Sequence, residues 1–159
     1  MESLLRSRKL AEKFEGGMLC VLRLTVEDYH HFCYVDGGER TKNYHIPGVF
    51  HTVNPTAGEH YPIYTENTRE FCLLKSNHFG TLMMMEVGAM LVGKIVNHHE
   101  KMTVRRGMEK GFFEYGGSTV ILAFQKDKVV IDEDILRNTA EEFETAVKMG
   151  EQIGKALTV

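Results

Sequence analysis

Tryptophan is absent from the 159 residues and proline occurs only 3 times. With no tryptophan, no basic face and a formal net charge of −3, the chain offers neither a stacking platform nor an electrostatic footprint for nucleic acid. It contains no secretory-leader pattern and no apolar run of about eighteen residues. Cysteine is scarce: Cys20, Cys33 and Cys72 are odd in number and scattered, which predicts free thiols in a reducing, cytoplasmic setting rather than a disulfide framework. Peripheral contact with the cytoplasmic membrane stays open, because it needs only a patch or an anchor.

The 15 glycines fall between short apolar runs, as in a strand-rich domain. The length suits one domain, 1–159, able to bury about two thirds of its unfolded surface. The expected class is mainly β (α+β) with a helix or two.

In chain order, Leu4, Leu5, Leu10, Ala11 and Phe14 are spaced for one amphipathic helix from Glu2 to Phe14, with Ser3 as N-cap and Gly16-Gly17 as stop. Met18 to Val26 reads as a half-buried strand. Asp36-Gly37-Gly38 predicts a hairpin turn, and Lys42 to Ile46 an extended piece. Phe50 to Val53 reads as a strand and Asn54 to Tyr64 as an ordered loop. Glu70 to Lys75 and Gly80 to Val87 read as strands joined by Ser76-Asn77-His78-Phe79, and Ala89 to Asn97 as a further strand. His98 to Gly107 is polar and reads as a loop. Phe112 to Tyr115 and Thr119 to Phe124 then flank Gly-Gly-Ser, followed by Val129 to Ile131, a helical turn from Asp132 to Leu136, and a last strand from Thr145 to Gly150.

A Gly-Gly-Ser between strands is ordinarily a turn or bulge. It also permits specific chemistry, since a serine hydroxyl held against the carbonyl of a side-chain-free glycine can attack its own backbone. The ester so formed can eliminate across Ser118 to dehydroalanine, which hydrolyses to a pyruvoyl ketone. Asp28, His30, His31 and Cys33 suggest a metal cluster by residue type. Adjacent strand residues face opposite ways, however, so the histidines do not readily share one ion and no metal is expected. An acid/base pair and a structural hydrogen bond remain equal alternatives for Asp28 with an imidazole. His78 on its tight turn is as consistent with a site as with plain surface. Met83, Met84 and Met85 alternate faces and read as core.

Taken together, RLTVEDYHHF, HIPGVFHTVNP, FGTLMMMEVGAMLVGKI and EKGFFEYGGSTVILAF resemble, in order, the blocks of phosphatidylserine decarboxylase proenzymes, over Gly17 to Gly154. The resemblance implies a barrel-sandwich-like β domain related to carrier domains, with short peripheral helices. It implies self-cleavage between Gly117 and Ser118, giving a β chain 1–117 and an α chain 118–159 headed by a pyruvoyl group made from Ser118. Asp28 matches the aspartate of the DYH block, assigned to the self-cleavage relay, and His30 matches its histidine. The partner imidazole of Asp28 is placed at His78. Cys33 stands where the family often has a second histidine.

The implied reaction converts phosphatidylserine to phosphatidylethanolamine and carbon dioxide through a Schiff base to the ketone, with no metal. An imidazole oriented by Asp28 would take the Ser118 proton, and His78 would reprotonate the substrate carbon. Relatives usually carry an N-terminal segment implicated in membrane association. A homodimer and a separately supplied N-terminal segment are the partners left open. Two other readings are a non-catalytic binding domain of the same fold and a pyruvoyl decarboxylase of a soluble amino acid. Release of carbon dioxide without lipid would mark the latter.

Overall fold

The computed structural model describes residues 1–49, 65–89, 94–114 and 118–157. The strand expected over Phe50 to Val53 and the loop over Asn54 to Tyr64 lie outside the described residues, as do residues 90–93 of the strand expected from Ala89.

Two strands with apolar side chains on both faces organise the rest. They are β6 (Thr81–Val87) and β10 (Ser118–Phe124), and burial on both faces explains their unbroken hydrophobic runs. They pair antiparallel, with Val120 opposite Glu86 and Phe124 opposite Leu82. β1 (Met18–Leu24) flanks β10, running from Met18 opposite Phe124 to Leu24 opposite Ser118. β5 (Arg69–Ser76) flanks β6 and joins it through the expected tight turn, with Lys75 opposite Thr81. Beyond β5 come β3 (Gly38–Arg40) and β8 (Met102–Val104), and β4 (Tyr44–Ile46) also pairs with β5.

Against one face of this sheet lies a three-stranded sheet in the order β2 (His31–Cys33), β9 (Glu109–Glu114), β7 (Lys94–Asn97). Phe32, Phe113, Leu82, Met84, Val120, Leu122 and Phe124 form the core between the two sheets. The opposite face of the large sheet packs Met83, Met85, Ile121 and Ala123 against Leu4, Leu5, Ala11 and Phe14 of the N-terminal segment. The expected layering of β-sheet with short peripheral helices holds.

Several elements differ from expectation. The single N-terminal helix is broken into α1 (Glu2–Leu5), α2 (Arg8–Ala11) and a 3-10 turn, Glu12–Phe14. Arg6 adopts φ 48°, and Ser7 rather than Ser3 provides the side-chain cap, accepting from Leu10 N. The break is stabilised from the sheet: fully buried Arg69 donates from Nε to Leu4 O (2.8 Å) and from Nη2 to Ser3 O (3.0 Å), satisfying carbonyls that a continuing helix would have bonded.

Asp36-Gly37-Gly38 is not a hairpin turn. It carries the chain from the small sheet to β3 of the large one, and a Cβ on Gly38 would lie 2.1 Å from Lys75 O, so the approach of β3 to β5 requires glycine. The polar run from His98 contains β8, which uses the free edge of β3. At the C-terminal end a helix, α3 (Glu133–Ala140), exceeds the expected turn, and 145–150 is not a strand. The closing strand is β12 (Gly154–Ala156), which completes β11 (Val129–Ile131).

A buried ion pair links the two sheets. Lys110 of β9 and Glu86 of β6 are both fully buried, with Nζ 2.6 Å from Oε2, and Lys110 also donates to Asn97 Oδ1 of β7. Removing one partner of a buried pair strands the other charge, so Lys110→Met is expected to lose about 3–5 kcal/mol in urea unfolding, while Lys110→Met combined with Glu86→Leu recovers most of that loss. Equal losses for the single and double variants would contradict this.

Candidate active site at the start of strand β10

Ser118 is the first residue of β10, fully buried, on the face shared with Val120, Leu122 and Phe124 that looks toward the small sheet. Among the described residues its hydroxyl finds no hydrogen-bond partner. A buried polar atom without a partner is uncommon and calls for an explanation.

The strand ends bring a second such atom to this end of the sheet. β1 finishes at Leu24, opposite Ser118, and the turn closed by Asp28 N donating to Thr25 O (3.2 Å) returns the chain to His30. His30 is pinned to the small sheet by Phe113 N, which donates to its carbonyl (3.0 Å), and its ring stands edge-on to that of Phe113 at 6.4 Å. Imidazole Nδ1 lies 2.6 Å from Asp28 O. A carbonyl only accepts, so Nδ1 carries the proton and Nε2 keeps its lone pair. Nε2 is buried and, like Ser118 Oγ, without a partner among the described residues.

Asp28 therefore orients an imidazole, but through its backbone. Its carboxylate accepts from Thr25 N (2.6 Å) and Thr25 Oγ1 (2.9 Å), and these bonds, the backbone one first, hold its pKa below the usual aspartate value. The carboxylate is exposed and touches no ring, so the expected carboxylate–imidazole contact is replaced by a carbonyl one.

His78 is elsewhere. It sits in the turn between β5 and β6, at the Phe124 end of β10, whereas Ser118 begins that strand. The separation along the strand is about 20 Å at about 3.4 Å per residue. The carboxylate beside its Nδ1 is Asp36, at 3.0 Å, not Asp28. The structure sets Ser118 opposite Leu24, the end of β1, and puts Asp28 and His30 in the turn that follows β1, whereas the hairpin that makes His78's turn tight fixes His78 at the far end of the sheet. Gly117, the other half of the expected scission bond, lies outside the described residues.

His30 and His31 face opposite ways as expected. His31 Nδ1 lies 2.8 Å from Glu109 Oε1, which also meets His98 Nε2 at 2.9 Å on the outer face of the small sheet. Among the described residues no three His, Cys, Asp or Glu side chains are gathered as a metal-ligand set.

Sequence reading missed Asp36, Glu86 and Lys110. For Glu86 a signal existed: it shares a strand face with Leu82 and Met84 in an otherwise apolar run, and full burial of glutamate requires a partner. Nothing in sequence order announces that the partner is Lys110.

A model of the phosphatidylserine decarboxylase family matches residues 1–155. The chain is 44% identical over 152 residues to phosphatidylserine decarboxylase proenzyme 2 of Clostridium acetobutylicum, an alignment covering 96% of this chain and 52% of that protein. It is 46% identical over 156 residues to the phosphatidylserine decarboxylase proenzyme of Clostridium tetani (97% and 52%) and 40% identical over 156 residues to that of Fusobacterium nucleatum (97% and 52%). The chain therefore spans about half the length of the curated relatives it matches.

The His78 turn has a structural explanation. Buried Asp36 accepts from Ser76 Oγ, from His78 N (3.0 Å) and from Arg106 Nη2 (3.1 Å). Burial alone would raise its pKa, but the hydrogen bonds from Ser76, His78 and Gly37 outweigh it and hold the value at about 2. A carboxyl with a depressed folded-state pKa stabilises above its unfolded value, about 4, and loses that contribution as pH falls through its folded value. Asp36→Asn is expected to cost about 2 kcal/mol at pH 7, with the gap to the unmodified chain narrowing between about pH 4 and 2 in thermal or urea unfolding. A gap constant over that range would contradict an ionised Asp36 as the clasp.

Proposed function

Because the chain belongs to the phosphatidylserine decarboxylase family, we propose that it is a self-processing decarboxylase, converting phosphatidylserine to phosphatidylethanolamine and carbon dioxide with a pyruvoyl group made from its own Ser118. The observation that carries the reading is the pair of buried, unpartnered atoms, Ser118 Oγ and His30 Nε2, at one end of the inter-sheet layer. A hydroxyl that must lose its proton and an imidazole nitrogen with a free lone pair fit the making of that group.

In the proposed processing step, the Ser118 hydroxyl proton passes to His30 Nε2 as Oγ bonds the Gly117 carbonyl carbon. The scissile C–N bond breaks, and the amine nitrogen takes the proton back. Loss of the α proton of residue 118 then expels Oγ with the Gly117 carboxylate, leaving dehydroalanine, which takes up water and releases ammonia. The Asp28 carbonyl keeps the other imidazole proton on Nδ1, so the ring works through Nε2 alone. Burial at this end of the layer limits competing water. The ketone so formed supplies the electrophile for the substrate amine and the electron sink for decarboxylation.

The acyl chains of the substrate put the reaction at a lipid surface, reached by peripheral contact. Among the described residues no helix is long and apolar enough to cross a membrane.

Mass spectrometry of the denatured chain tests the proposal. The 18.1 kDa species is expected to give way to 1–117 and a ketone-headed 118–159 that gains mass on borohydride reduction. Ser118→Ala and His30→Ala are expected to remain intact, and His78→Ala to fragment. A chain that never fragments, or a His30→Ala chain that still does, overturns it.

A further inference from the structure

Glu86 and Lys110 have no part in the processing proposed for Ser118, yet they lie in the same layer. Val120 is opposite Glu86 in register, and Ser118 lies two residues before Val120 on the same face, which makes Ser118 the diagonal neighbour of Glu86 at about 7–8 Å. The Glu86 carboxylate is used unevenly. Oε2 accepts from Lys110 Nζ (2.6 Å) and Asn97 Nδ2 (3.3 Å), while Oε1 is buried and bonds nothing. Leaving a buried carboxylate oxygen empty is costly unless something else fills it.

Among the described residues the buried side-chain N and O atoms without a partner are His30 Nε2, Glu86 Oε1 and Ser118 Oγ. Each can accept a hydrogen bond, and the buried cation nearest them, Lys110, already has Glu86 and Asn97. Such a set suits a ligand that donates: a primary ammonium, with three N–H groups and one positive charge, rather than a phosphate or carboxylate.

We propose that Glu86 Oε1 is the ammonium acceptor for an amine-bearing substrate arriving at residue 118. It binds the cation and takes one of its protons: the N–H bond breaks, an O–H bond forms on Glu86, both charges are neutralised, and the amine keeps a lone pair for reaction. Lys110 acts as a positioning residue by holding Oε2, which leaves Oε1 as the free oxygen. Burial raises the Glu86 pKa, against the opposing pull of Lys110 and Asn97, as suits a carboxylate that must carry a proton in turn. The proton-transfer part rests on the function proposed above. The ammonium subsite does not.

The 159-residue Ser118→Ala chain, which cannot be processed, is titrated calorimetrically with the glycerophosphoester of serine and with that of 3-hydroxypropionate, which lacks only the amine. The serine ester is expected to bind about tenfold tighter or better, as a charged hydrogen bond allows. That preference is expected to vanish in Glu86→Gln and to survive in part in Glu86→Asp. Should Glu86→Gln fail to fold, Glu86→Gln with Lys110→Met, which removes both charges, gives the same comparison. Absence of binding by the serine ester, equal binding of the two esters, or a preference that outlives the loss of the Glu86 charge overturns the subsite. Fragmentation at residue 118 is read separately by mass. A chain that prefers the amine through Glu86 but never fragments keeps the subsite and loses the decarboxylase, and the reverse pattern does the opposite.

Discussion

β10 is hydrogen-bonded on both edges, to β1 and β6, and covered on both faces, by the small sheet on one side and the N-terminal segment on the other. A strand so enclosed leaves its side chains nowhere to go but into packed layers, and its first residue is a serine. Everything proposed about chemistry depends on that placement. It puts a small hydroxyl at the rim of an apolar layer, beside the glycine pair that precedes it in the chain, and within reach of whatever the ends of β1 and the small sheet deliver.

Polar groups in that layer come at a high desolvation cost, which makes their pattern informative. Lys110 and Glu86 satisfy one another, with Asn97 bridging them, and replacing such a pair by apolar residues often leaves stability unchanged or improved. Stability therefore gives no sufficient reason for the pair. Among the described residues the atoms left empty are His30 Nε2, Glu86 Oε1 and Ser118 Oγ; Glu86 and Ser118 share one face of the large sheet by register, and the His30 ring stands against Phe113 of the small sheet. Two groups that match the family blocks and one that the sequence did not single out share a single physical anomaly.

The two aspartate–histidine pairs, Asp36 with His78 and Asp28 with His30, illustrate how geometry reassigns roles. Asp36 and His78 form the closer side-chain pair, at 3.0 Å, but they close a turn whose other donors, Ser76 and Arg106, leave the carboxylate fully used. Asp28 and His30 hydrogen-bond through a backbone carbonyl, which sets the tautomer. Side-chain proximity thus marks the clasp, and the less conspicuous contact belongs to the imidazole proposed as the base.

Much of the fold was legible along the chain. The unbroken apolar runs of β6 and β10, the alternation of β1, the hairpin of β5 and β6 with His78 in its turn, and a Gly-Gly-Ser turn just before the strand from Thr119 follow from periodicity and turn residues, which are local properties. Edge strands such as β8 and β12 were not legible, because each short segment is a strand only by virtue of the free edge it meets. The split of the N-terminal helix depends on Arg69, far along the sequence. The choice between two imidazoles was a tertiary decision. A strand of seven residues has ends about 20 Å apart, and residue order does not say which end a returning turn occupies until the register of β1, β6 and β10 is known. The sequence by itself determined an apolar strand from Thr119 with a Gly-Gly-Ser turn before it; that Ser118 belongs to the strand and is buried came from its pairing with β1. Packing two sheets across that strand decided that His30 and Glu86, and not His78, share its layer.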